Sequence, residues 1–322
     1  MIKNYSVRTD LALEEKERFE SDHVEISGVV LEEDYDEASE LRVTRVEIKT
    51  ENGAKAMKKP KGTYITIEAS DMMEEDEDYH REISLEIARH LQNVINLERE
   101  LSILVVGLGN SAITADSLGP HVVENLHITR HMIREYGLQS LGKEKMHRIS
   151  GIIPGVMAQT GMETAEIVRG VVRESRPDLV IAVDALAARN VHRLASTIQL
   201  TDTGIHPGSG VGNHRRGMTR ENLGVPVIAI GVPTVVGAAA IVHGTVNALV
   251  RTLTASKEGS RYGEYIRELD SDSQYELIRE LLEPEFGAMF VTPQDMDERI
   301  CKLSAAIAEG IRRAVERLEE ER

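Results

Sequence analysis

Apolar positions follow two rhythms along this chain of 322 residues. In residues 24–99 they alternate with polar ones over short stretches: Val24-Glu25-Ile26-Ser27-Gly28-Val29-Val30, Leu41-Arg42-Val43-Thr44-Arg45-Val46-Glu47-Ile48 and Tyr64-Ile65-Thr66-Ile67-Glu68. Period-two alternation predicts strands of a sheet with one solvated face. A one-residue slip at Thr44-Arg45 predicts a bulge in the second strand. An acidic stretch at 74–78 then leads into a predicted helix near 81–98, whose apolar face is Ile83, Leu85, Ile87, Leu91, Val94 and Ile95.

Between residues 100 and 255 the rhythm changes. Short, nearly continuous apolar runs occur at 103–108, 179–184 and 225–232, with weaker ones at 147–153 and 196–200. Amphipathic stretches at 119–136, 162–175 and 234–254 lie between them. Strands apolar on both faces, alternating with helices, predict an α/β fold with a central, mostly parallel sheet covered by helices. Right-handed crossovers follow by default. The end of the chain reads as helical: 265–282 stops before Pro284, and Thr292-Pro293-Gln294-Asp295 offers an N-cap and a first-turn proline for a helix to 320. No repeat or low-complexity linker separates these parts. The β-rich N-terminal flank (24–99), the core (100–255) and the C-terminal helical flank (262–320) therefore read as one packed domain.

Composition narrows the possible activities. With no Trp, three Phe and eight Tyr, the core is aliphatic, and stacking on nucleic-acid bases is a poor fit. The formal charge is −16 and uneven: residues 1–100 hold 26 acidic and 14 basic side chains, whereas 101–250 hold 11 and 13. Acidic flanks repel a phosphate backbone and attract a basic protein. Cys301 is the single cysteine, so no intrachain disulfide forms, as suits a reducing compartment. Met1-Ile2-Lys3-Asn4-Tyr5 opens no signal-like apolar region, and no run approaches the ~20 residues of a membrane span. The expectation is a cytoplasmic protein with neither membrane nor direct nucleic-acid partner.

Two aspartates stand out. Leu104-Val105-Val106-Gly107-Leu108-Gly109-Asn110 leads to Thr114-Ala115-Asp116-Ser117-Leu118-Gly119-Pro120, and Leu179-Val180-Ile181-Ala182-Val183 ends at Asp184. Carboxyl ends of parallel strands line the crevice where ligands bind. Two carboxyls brought together there can share one proton and do acid–base chemistry near neutral pH. Taken singly, each reads equally well as a turn or N-cap carboxylate.

Other motifs are weaker. Gly107-Leu108-Gly109 has Ala112 where a dinucleotide fingerprint has its third glycine, and no clear helix start follows; a tight turn is the better reading. Asp202-Thr203-Gly204 copies the active triplet of pepsin-like proteases, but those enzymes are all-β and pair two triplets, so an Asx-type turn fits better. The glycine-rich segment from Gly204 through His206, Gly208 and Gly210 to Arg215 is either a flexible surface loop or a lid that lets a backbone approach a ligand. Local spacing shows no metal site, although Asp116, Asp184 and His206 remain able to converge through the fold.

These same residues resemble the spore germination protease family. The resemblance rests on Gly107-Leu108-Gly109-Asn110 with Asp116-Ser117-Leu118-Gly119-Pro120, Pro154-Gly155-Val156-Met157-Ala158-Gln159-Thr160-Gly161-Met162-Glu163-Thr164, Asp184-Ala185-Leu186-Ala187-Ala188-Arg189, the stretch 202–213, and Gly224-Val225-Pro226-Val227-Ile228-Ala229-Ile230-Gly231-Val232-Pro233-Thr234-Val235-Val236. It implies an atypical aspartic-type endopeptidase that begins the digestion of small acid-soluble, DNA-coating spore proteins during germination, in the spore core. It implies a fold similar to that of hydrogenase-maturation peptidases and a homotetramer; no cofactor is expected. The family's two active-site aspartates fall on Asp116 and Asp184. Gly107, Gly109, Asn110, His206, Gly208, Gly210 and Arg215 are the candidates for a substrate or oxyanion loop. The family is made as a self-processing zymogen. Tyr5-Ser6-Val7-Arg8-Thr9-Asp10-Leu11-Ala12 matches its processing site, so residues 1–10 are the expected pro-segment, the cut falls between Asp10 and Leu11, and 11–322 form the peptidase domain. From the residues alone, Asp10 reads as the N-cap of a helix. The alternatives are a metal-assisted peptidase similar to the hydrogenase-maturation enzymes, or a nucleotide-binding module at 107–110.

Overall fold

The computed structural model describes residues 9–316, apart from 22–25, 37–39, 70–76, 96, 98, 209–215, 256–270 and 287. Among these, nine strands form one mixed sheet: β1 (Val29–Asp36), β2 (Leu41–Ile48), β3 (Gly62–Ala69), β4 (Ser102–Gly107), β5 (Arg148–Ile152), β6 (Leu179–Ala188), β7 (Thr197–Thr201), β8 (Val227–Gly237) and β9 (Phe290–Val291). The order is β1-β2-β3-β7-β8-β6-β4-β5, with β9 paired to β8. The strands β8, β6, β4 and β5 are mutually parallel. The N-terminal strands extend the same sheet antiparallel, joined through β3 to β7 and β7 to β8. The flank is thus part of the central sheet rather than a layer packed on it.

Successive residues of the parallel strands face different cores. Ile103, Val105, Ile181, Val183, Ile228 and Ile230 pack against helices α3 (Glu77–Val94), α4 (Leu118–Glu124) and, near the chain's end, Met296–Glu316. Leu104, Val106, Val180 and Ala182 pack on the opposite face against the helix at Thr164–Ser175 and the short turn Arg220–Leu223. Helices on both faces explain why these strands carry no polar side.

The flank departs from the predicted alternation. Val43 and Thr44 are both buried, and β2 keeps an unbroken register with both neighbours, so there is no bulge. Instead the second face is covered: Val46, Ile48 and Tyr64 pack with Met57 of α2 (Glu51–Met57) and Ala12 of α1 (Ala12–Ser21). The first predicted strand starts later, because Ile26 to Gly28 form a turn with Gly28 at φ +85°.

Elsewhere, α5 (Arg130–Ser140) follows α4 after a break within the predicted 119–136 helix. In chain order α6 (Met157–Thr160), α7 (Thr164–Ser175), α8 (Arg220–Leu223), α9 (Ala238–Ala255), α10 (Ser271–Phe286) and α11 (Met296–Glu316) complete the set. β8 runs five residues past the predicted 225–232 and takes the first turn of the expected 234–254 helix, because Val236 and Gly237 pair with β9. Pro284 lies inside α10, in its last turn, where only one backbone bond is forfeited. The hydroxyl of Thr292 donates to the Thr234 carbonyl instead of capping a helix, and α11 starts only at Met296. The expected end at 320 lies outside the described residues. Among the described residues no helix is long and apolar enough to cross a membrane.

Candidate active site

β4 and β6 are adjacent and parallel, so the turns that follow them emerge side by side. Three glycines press the first turn onto the second strand. A Cβ on Gly107 would sit 2.2 Å from the Gly119 carbonyl oxygen, and one on Gly119 would sit 2.5 Å from that of Val183. Gly109, at φ +110°, leaves room for the Asp116 carbonyl oxygen, 2.0 Å from where its Cβ would stand. The Asn110 N–H donates to that same carbonyl at 3.0 Å. Only glycine permits this approach, and the result is a closed loop that returns Asp116 to the mouth of β4.

A bulge on β8 secures the loop from the other side. Leu186 pairs with Pro233 and Ala187 with Val235, leaving Thr234 as the additional residue. Bulges re-aim side chains. Here the Thr234 hydroxyl donates to the Ala115 carbonyl at 2.6 Å. Asn110 accepts through its side-chain oxygen from Ala112 N–H (3.0 Å) and from Gln159 Nε2 (2.7 Å), which ties the loop to α6.

Asp116 and Asp184 line one cavity of about 280 Å³, together with Asp10, Val156, Leu186, Gly208 and Phe290. Asp184 is buried, with 6% of its surface exposed, and its Oδ1 accepts the Ala185 N–H at 3.0 Å. Burial raises its pKa well above the ordinary carboxylate range, the charges of Asp116 and Asp10 raise it further, and the Ala185 bond offsets only part. Asp184 therefore holds a proton at a pH where an ordinary aspartate is ionised. Two neighbouring carboxyls with one proton between them can supply a base and an acid at once.

The N-terminal segment occupies this site. Asp10 pairs with Ala187 on β6, and its carboxylate accepts the Ala187 N–H at 3.0 Å, two residues before α1 begins at Ala12. Leu11 is fully buried among Leu186, Leu194 and Val236, worth roughly 1.5–3 kcal/mol. Glu14, also fully buried, accepts from the backbone N–H groups of Arg189 (2.7 Å) and Asn190 (2.9 Å). The Asp10 carbonyl oxygen receives two donors: Lys59 Nζ at 2.7 Å and Gln199 Nε2 at 3.2 Å. Sequence reasoning missed both. Lys58-Lys59-Pro60-Lys61 reads as a solvated charge run, and a glutamine in a short strand carries no signal beyond its polarity among apolar neighbours.

Two of the remaining candidates stay close to Asp184. His206 and Gly208 line a second cavity of about 70 Å³ beside Lys59, Gln199 and Asp184. Burial, then the Lys59 charge, lowers the His206 pKa. Gly210 and Arg215 lie outside the described residues. Asp202 stands at the end of β7, but its carboxylate accepts from Thr63 N–H on β3 (2.8 Å), a bond between strands rather than within a turn. Among the described residues no three His, Cys, Asp or Glu side chains are placed to hold a metal ion.

The sequence model of a family described as Germination protease matches residues 7–262. Curated germination proteases are similar over nearly their whole length: that of Caldanaerobacter subterraneus subsp. tengcongensis is 45% identical, covering 98% of this chain and 96% of that protein. Those of Clostridium perfringens and Bacillus subtilis are 41% and 37% identical, covering 97% and 98% of this chain and 96% and 94% of theirs. Among solved structures, a [NiFe] hydrogenase maturation protease, HycI from Thermococcus kodakarensis, matches at 15% identity, covering 69% of this chain and 99% of that one, with a TM-score of 0.32. That score is too low for the likeness to bear weight.

Proposed function

The chain belongs to the germination protease family, and from that membership we propose that it is an aspartic-type endopeptidase with Asp116 and Asp184 as its dyad. The observation that carries this reading is the cavity shared by the two carboxyls and Asp10. One carboxylate takes a proton from water as the water attacks a peptide carbonyl, and the protonated partner supplies acid. The proton belongs to the pair, so the apparent pKa values do too.

The chain is a self-processing zymogen in this reading, with residues 1–10 as pro-segment, cleavage between Asp10 and Leu11, and 11–322 as a single peptidase domain. The support is that Asp10 lines the cavity shared by Asp116 and Asp184, with Asp10 bound to β6 and Leu11 buried. The substrates in trans are small acid-soluble DNA-coating proteins of the spore core. The acidic excess of residues 1–100 favours such a protein over the nucleic acid it coats. His206 and Gly208 border the substrate channel, and the working form is a homotetramer, measurable by sedimentation.

Intact mass measured during incubation at mildly acidic pH tests the reading. The wild-type chain loses residues 1–10, and Asp116→Asn and Asp184→Asn chains stay whole. Processing at the wild-type rate by either variant removes the dyad. Loss of activity on exposure to a chelator, restored by a divalent metal, would establish the metal-assisted alternative instead.

A further inference from the structure

The geometry points to Lys59 and Gln199 as the catalytic pair that holds the carbonyl oxygen of the bond being cut. This rests on the proposed dyad and on cleavage between Asp10 and Leu11.

The bond is gripped from both ends. Lys59 Nζ reaches the Asp10 carbonyl oxygen at 2.7 Å and the Thr9 oxygen at 3.4 Å. Gln199 spans the bond: its Nε2 donates to the Asp10 oxygen, and its Oε1 accepts the Ala12 N–H at 2.7 Å. All four contacts are to main-chain atoms. They pass unchanged to any peptide laid along the cleft, which a lock specific to the pro-segment would not require.

The two cavities lie along this segment with different linings. Asp10 and Asp184 line both, Asp116 lines only the larger, and Lys59 and Gln199 line only the smaller. Water attacking from the Asp116 cavity drives the carbonyl oxygen towards the Lys59 cavity. The water oxygen bonds to the Asp10 carbonyl carbon and its proton passes to the ionised carboxylate of the dyad. The C=O electron pair moves onto oxygen, where the ammonium and the amide N–H meet the new charge. The protonated carboxyl is then left to give its proton to the Leu11 nitrogen as the C–N bond breaks. One water is consumed, and one new carboxyl terminus and one new amine are formed.

Lys59 must be charged for this. Asp10, Glu14 and Glu15 on the N-terminal segment, Asp184 on β6 and His206 after β7 surround it. Burial lowers its pKa from the ordinary lysine value, and the three carboxylates of the segment offset this in part. The rate of cutting should therefore fall at a pH below that of a solvated lysine.

Full-length Lys59→Met, Lys59→Arg and Gln199→Leu chains, checked for folding by circular dichroism, are followed by intact mass across pH. Lys59→Met should process at least about 100-fold more slowly than wild type, and Gln199→Leu more slowly as well. Lys59→Arg should retain the larger part of the rate, because guanidinium keeps its proton. Hydrogen exchange at the Asp10 amide, which donates to Ala187, shows whether the segment stays seated. A seated but uncut Lys59→Met chain supports the assignment. An unseated segment, wild-type processing in Lys59→Met, or a Lys59→Arg chain as slow as Lys59→Met overturns it. Processing by Asp184→Asn would instead remove the dyad, a separate result.

Discussion

Asp10 and Ala187 are paired in both directions: the Asp10 N–H donates to the Ala187 carbonyl at 3.0 Å, and the Asp10 carboxylate accepts the Ala187 N–H at 3.0 Å. This pairing lays the expected processing site along the edge of β6, three residues beyond Asp184. Asp10→Ala leaves the Ala187 N–H without that acceptor, a cost of about 1–3 kcal/mol. Self-processing should slow by about tenfold or more, and the Asp10 amide should exchange faster. Intact mass and hydrogen exchange check both.

Asp184 makes stability fall with rising pH. Its pKa is raised in the fold by burial and by the neighbouring carboxylates, so the folded chain binds its proton more tightly than the unfolded chain. The contribution is complete below the unfolded value, 3.8, and is lost as pH rises towards the folded value. Asp184→Asn removes this loss. Its melting temperature should exceed that of the wild type at pH 7 and converge with it at low pH, while processing stops. Parallel melting curves across that range would count against a raised Asp184 pKa.

Two glycine substitutions should separate packing at the site from packing elsewhere. Gly109→Ala forces a Cβ to within 2.0 Å of the Asp116 carbonyl at a positive φ, and should displace Asp116 and abolish cutting. Gly170→Ala, within α7 and with open space around it, should stabilise the chain by about 0.5–1 kcal/mol and leave cutting unchanged. Denaturant unfolding and processing assays measure both.

Thr234→Val keeps the shape of the bulge but removes the donor to Ala115. The expected loss is about 1 kcal/mol in stability, with a larger proportional loss in processing because Ala115 precedes Asp116. An unchanged processing rate would show that the bulge does not aim the aspartate.

Asp202→Ala tests the protease-like triplet. Its carboxylate serves the Thr63 N–H, so the variant should lose about 1 kcal/mol of stability and still cut itself. Abolished processing in a folded Asp202→Ala chain would reopen a catalytic role for it.

The parts of the fold legible along the chain are those whose cause is local. β4 and β6 are apolar on both faces because helices cover both, and that leaves an unbroken apolar run. β2 misled because its slip at Thr44-Arg45 is the trace of a second covered face, supplied by α1 and α2. β9 was invisible: Phe290 and Val291 are strand only because Val236 and Gly237 offer an edge.

The same division holds at the site. The sequence by itself singled out the strand-end aspartates as candidates and carried the long motifs that join the chain to its family. It also determined the parallel core, because burial on both faces is written residue by residue. Only the tertiary structure decided that Asp116 and Asp184 share a cavity, that Thr234 bonds the loop ahead of Asp116, and that Lys59 and Gln199 meet the carbonyl of Asp10. Those are pairings between distant segments, formed by hydrogen bonds and close glycine contacts that leave no period in either segment.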